Sequence, residues 1–81
     1  RFGAANPVED PETRETRWRR PEEARWIPDT DSEEGVAVVV ESTRPMGRGV
    51  EVAVRRADGT RWLCLLPEAI PVGARGRVAW W

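Results

Sequence analysis

A mainly β fold is what this sequence predicts: a small antiparallel barrel over residues 35–81, preceded by an extended, partly helical arm over residues 1–34. Three observations carry that reading. From Gly49 onward the valines at 50, 52 and 54 alternate with Glu51, Ala53 and Arg55, the period-two pattern of a half-buried strand. Asp58-Gly59 then supplies the turn chemistry of a tight hairpin, ahead of a second β-rich run from Trp62 to Leu66. Charge also changes sign where the valines begin: six arginines stand against ten acids in residues 1–34, and seven against four in residues 35–81. An acidic arm is joined to a basic body.

Taken in order, residues 1–8 mix small, polar and apolar side chains, with Pro7 ending any helix, and read as an extended tail. Asp10-Pro11-Glu12-Thr13 has the order of a helix start: Asp as N-cap, Pro at the first helical position, an acid in the first turn. A helix is therefore expected from Asp10 to Arg19 or Arg20, where Pro21 stops it. Pro21-Glu22-Glu23-Ala24-Arg25 repeats the signal, and Pro28 leaves room for barely two turns. The apolar residues of these segments are Trp18, Trp26 and Ile27. They either pack on the body as a lid or lie on another protein, two readings the sequence leaves level. Asp29 to Glu34 is a solvated hinge that fits both.

The body opens on Val36 to Glu41, whose near-continuous valines predict a strand buried on both faces in its middle. Arg44 to Gly49 reads as a loop by its proline and two glycines. A two-residue loop at Asp58-Gly59 would set Val54 opposite Leu63, Val52 opposite Leu65, Arg55 opposite Trp62 and Ala53 opposite Cys64. One face of that hairpin would be apolar, and the other would carry a cation beside an aromatic ring. Pro67 to Gly73 is a loop, and Arg75 to Trp81 a closing strand with Val78 and Trp80 on one face and Arg75, Arg77 and Trp81 on the other. The body is short for five strands, so either Trp26-Ile27 adds one or a partner completes the sheet.

In 81 residues there is room for one small domain. All 13 basic residues are Arg and His is absent, which removes the commonest general base and the commonest metal ligand. The arginine bias points to a GC-rich bacterial or phage genome. Cys64 is the sole cysteine, so no disulfide forms within the chain. No apolar run approaches the roughly 20 residues that span a bilayer. No signal peptide opens the chain, and Arg1 in place of Met implies an upstream segment cut or left out. The expected setting is the cytoplasm, or the virion of a phage.

The body resembles small β-barrels of the OB and TOBE kind, including the single-domain relatives of bacterial translation initiation factor 1. The residues that carry the resemblance are Glu34-Gly35-Val36-Ala37-Val38, Val50 to Val54, Asp58-Gly59, Trp62 to Leu66, and Ile70-Pro71-Val72-Gly73 before Arg77 to Trp80. SH3-like barrels share much of this pattern. The resemblance implies a five-stranded closed sheet. This chain departs from it at Gly73-Ala74-Arg75, where an Asp usually follows the Gly, and in offering only Trp62 on the hairpin's outer face where oligonucleotide-binding barrels offer several aromatics.

No catalytic or metal-ligating residue, cofactor or small-molecule substrate is expected. Cys64 sits in mid-strand beside Ala53 and has no base, and the paired acids Glu22-Glu23 and Glu33-Glu34 lie in solvated segments. Gly47-Arg48-Gly49 lacks the Lys and the helix of a phosphate loop. Two binding readings stay. In the first, the chain is a non-enzymatic accessory subunit of a larger protein complex or homo-oligomer, docking through Trp18, Arg19, Arg20, Trp26, Ile27 and Trp81. Its motive is that so small a body buries too little apolar surface alone and has too many tryptophans to hide. In the second, Arg44, Arg48, Arg55, Arg56, Arg61, Arg75 and Arg77 bind single-stranded nucleic acid with Trp62 as a stacking platform. The net charge of −1 stands against a dedicated nucleic-acid binder.

Overall fold

Seven short strands account for most of the chain in the computed structural model, which describes residues 6–10, 12–28 and 31–80. They are β1 (Asn6–Glu9), β2 (Thr16–Arg19), β3 (Arg25–Ile27), β4 (Val36–Met46), β5 (Gly49–Arg56), β6 (Arg61–Leu66) and β7 (Arg75–Ala79). β1 and β2 form a two-stranded hairpin, and the other five make one antiparallel sheet in the order β3-β7-β4-β5-β6. β4, β5 and β6 are a meander, and β7 returns to the free side of β4. The sheet is open: among the described strands no pairing joins β3 to β6, so the expected closed barrel does not form.

The arm departs most from expectation. Where a helix was expected from Asp10, the chain reverses. The Asp10 carboxylate accepts the backbone N–H of Glu12 at 2.8 Å and of Thr13 at 3.3 Å, and Asp10 and Glu15 close the loop at 2.8 Å through their backbones. Arg14 turns the corner at a φ of 64°. Asp serves a loop as readily as a helix N-cap, because both uses need the same carboxylate acceptance two or three residues on. The second start signal yields only one 3₁₀ turn, Pro21–Glu23. Among the described residues no helical arm forms, and Trp26-Ile27 does add a strand, pairing Trp26 with Val78 and Ile27 with Arg77.

β4 shows one buried face, not two: Val38 and Val40 are inside while Ala37 is exposed. It also runs on through the expected loop, so that Arg44, Pro45 and Met46 pair with Glu51, Val50 and Gly49 and only Gly47-Arg48 turns. Pro45 is tolerated there because β7 flanks β4 only from Val36 to Val39, which leaves no ladder on that side for its missing N–H to break. Between Val40 and Ser42 the register shifts, making Glu41 the extra residue of a bulge.

The β5–β6 hairpin lies where the sequence places it but one residue out of register. Val54 pairs with Trp62, Val52 with Cys64, Ala53 with Leu63 and Arg55 with Arg61. The cause is loop length. A two-residue turn would need positive φ at Asp58 as well as Gly59, yet of the two only Gly59 has it, at 92°. The Gly59 N–H reaches the Arg56 carbonyl at 3.0 Å, Arg56 N–H reaches the Thr60 carbonyl at 2.8 Å, and the Asp58 carboxylate takes the Thr60 N–H at 2.9 Å. One extra loop residue flips every side chain of β6, so Trp62 and Cys64 go inside and Leu63 and Leu65 go out. The core is Val8, Val38, Val40, Val52, Val54, Trp62, Cys64, Leu66, Val78 and Trp80, with Trp62 and Trp80 edge to face at 5.3 Å.

Candidate interaction surfaces

Two surfaces gather the residues that sequence reasoning singled out, one on the N-terminal hairpin and one on the outer face of the sheet. The hairpin is held to the body by its inward row. The Asn6 side chain donates to the Leu63 carbonyl at 2.9 Å and accepts the Leu63 N–H at 2.7 Å, so one amide stands in for a neighbouring strand on the edge of β6. The Trp62 indole N–H donates to the Pro7 carbonyl at 2.9 Å, and Val8 joins the core. Asn6 was not singled out from sequence. A lone Asn in a tail gives no periodic signal.

The outward row of the same hairpin pairs Pro7 with Trp18 and leaves Trp18 67% exposed. Arg19 is tied to Glu23 at 3.3 Å, and the Arg20 N–H donates to the Glu23 carboxylate at 3.1 Å. That second bond, with Arg19 beside it, holds the Glu23 carboxyl below its ordinary value. Trp26 and Ile27 are half-buried against their own sheet, because the Trp26 ring lies across Gly76. Trp81 lies outside the described residues. Of the expected partner-binding tryptophans, Trp18 alone is shown exposed.

On the outer face, register sets Arg75, Val39, Arg55 and Arg61 in one row across β7, β4, β5 and β6. The bulge directs Glu41 at this row, where its carboxylate forms ion pairs with Arg55 at 3.3 Å and Arg61 at 3.1 Å. Two guanidiniums share one carboxylate. Arg56 sits over the Trp62 ring at 5.1 Å and pairs with Asp58 at 3.6 Å. The backbone N–H of Thr60, and more weakly Arg56, keep the Asp58 carboxyl below its ordinary value. The Arg75 side chain has neither a hydrogen-bond nor an ion-pair partner among the described residues. Where β5 leaves β4 after the Val38–Arg56 pair, a cleft of about 510 Å³ opens, lined by Arg55, Arg56 and Arg75 with Ala37, Val39 and Ala57.

The remaining expected nucleic-acid residues are scattered. Arg44 pairs with Glu51 at 2.7 Å, Arg48 stands at the tip of the β4–β5 turn, and Arg77 caps the Glu34 and Gly35 carbonyls at 2.8 Å each. Trp62 is 2% exposed, which corrects its assignment as a stacking platform: the one-residue register change put it in the core. Cys64 is buried, and burial pushes its thiol up to about 12, so it stays protonated and unreactive at neutral pH.

No family model matches the sequence, and the searches of curated proteins and of solved structures found no match. Among the described residues no helix is long and apolar enough to cross a membrane.

Proposed function

We propose that this protein is a non-enzymatic interaction module that docks on a larger protein assembly through the outer face of its N-terminal hairpin. One observation carries the reading: Trp18 is 67% exposed on a strand fixed by its neighbours, while Trp26, Trp62 and Trp80 all pack against the protein itself. A large aromatic presented on a pre-ordered strand loses little entropy when buried, which is why such residues anchor interfaces. A deficient core is not the motive for docking, because the arm itself supplies Val8, β3 and the Pro7 carbonyl. The body fits a small barrel-type fold of the OB or SH3-like kind left open at its edges, and its setting is the cytoplasm or a virion.

The test is paired. Trp18→Ala should leave the thermal melt within about 1 kcal/mol of wild type, since it is a surface change, and should abolish stoichiometric co-purification of the partner from the native source. Equal capture by both proteins sinks the proposal. Binding of single-stranded nucleic acid is the second reading; it keeps its arginines, but the ring it relied on is inside.

A further inference from the structure

We infer that the cleft between β7, β4 and the β5–β6 turn is a binding site for carboxylates, occupied by an extended acidic segment of a partner protein. This cleft shares no residue with the Trp18 surface. Arg55 and Arg75 line one cleft of about 510 Å³ from the outer face, and Arg56, whose guanidinium lies over Trp62, lines it from the other side of β5. Arg55 is only half-compensated, since it shares Glu41 with Arg61, Arg56 is matched by Asp58, and Arg75 faces no carboxylate among the described residues. The row Arg75-Val39-Arg55-Arg61 thus carries three positive charges against one negative. Glu41 already shows the mode of recognition, a carboxylate lying between two guanidiniums at ion-pair distance from each.

Several features select a peptide over a polynucleotide. Ala37, Val39 and Ala57 give the cleft an apolar lining suited to the aliphatic stems of acidic side chains. No aromatic ring lines the cleft to stack a base. Acids at alternate positions of an extended chain fall roughly 7 Å apart on one side, so a segment can reach Arg75 and bypass Glu41.

Fluorescence anisotropy at low ionic strength with a labelled decaglutamate peptide tests the site. Arg75→Glu should weaken binding by about tenfold, the size of effect expected for reversing a charge at the contact itself. Arg48→Glu makes the same change in net charge at the far β4–β5 turn and should weaken it less than about twofold. A labelled uridine decamer should bind more weakly than the peptide. Amide shifts of the unsubstituted protein on adding decaglutamate should centre on Ala37, Val39, Ala57 and Arg75, a readout that stands if Arg75→Glu fails to fold. Absent peptide binding, equal losses for the two variants, tighter binding of the uridine decamer, or shifts centred elsewhere would each overturn the assignment. None of these outcomes bears on capture through Trp18.

Discussion

The two edges of the sheet are finished in different ways. At one edge the arm contributes backbone: β3 runs beside β7 as a true strand, and the Trp26 ring sits on Gly76, where a Cβ would lie 2.9 Å from the Ile27 carbonyl oxygen and overlap the indole. At the other edge the arm contributes side chains and one carbonyl: the Asn6 amide pairs with Leu63, and Pro7 accepts the Trp62 indole. A ladder of three residues depends on shape, because it forms only if nothing stands on Gly76. A side-chain clasp depends on chemistry, because it needs one amide with a donor and an acceptor in the right places. Edges of open sheets invite association, and this chain covers both with its own leader.

Breaking the clasp from the inside should have the largest effect. Trp62→Ala removes a fully buried indole and orphans the Pro7 carbonyl, and should cost about 3–5 kcal/mol in chemical denaturation. A loss under 1 kcal/mol would mean the hairpin contributes little to the core. Gly76→Val attacks the other edge and should cost about 3 kcal/mol by forcing the Trp26 ring away. Hydrogen exchange should then show β3 opening while the Asn6–Leu63 clasp stays protected. Asn6→Ala should cost about 1–2 kcal/mol, since Leu63 loses both partners at once. The Leu63 amide should exchange faster than its β6 neighbours, and unchanged protection would refute the idea that a side chain substitutes for a strand.

Acid should have the smallest effect. Backbone N–H groups of Glu12 and Thr13 hold the Asp10 carboxyl below its ordinary 3.8, so its charged form is favoured in the folded loop. Its contribution is fully present above the unfolded value and is lost as pH falls through the lower folded value. NMR titration should therefore show the β1–β2 loop loosening below pH about 4 while the β6 clasp persists. An Asp10 midpoint at or above its ordinary value would contradict the loop geometry.

The strands of the body were legible because Val50, Val52 and Val54 alternate over a length that few other structures accommodate. The position of the β5–β6 turn was legible from Asp58-Gly59, but its length was not, because Gly59 serves a two-residue turn and a three-residue loop alike. That single count decided whether Trp62 faced solvent or core. The arm is less legible because Asp10 and Pro21 signal a chain reversal as well as a helix, and because Asn6-Pro7-Val8-Glu9 is too short to show a period. Of the surfaces, residue type was legible and company was not: the arginines stood out, yet only register brings Arg75, Arg55 and Arg61 into line and only the bulge sends Glu41 among them.

That bulge acts as a phase reset. Up to Val40 the odd positions of β4 look outward; from Ser42 onward they look inward, with Thr43 opposite Val52 and Pro45 opposite Val50. Deleting Glu41 would join Val40 directly to Ser42, which already face the adjacent residues Val54 and Ala53, so the ladder would close without a slip. The far half of β4 would keep its inside and outside, and what the deletion takes away is the one carboxylate among the outward arginines.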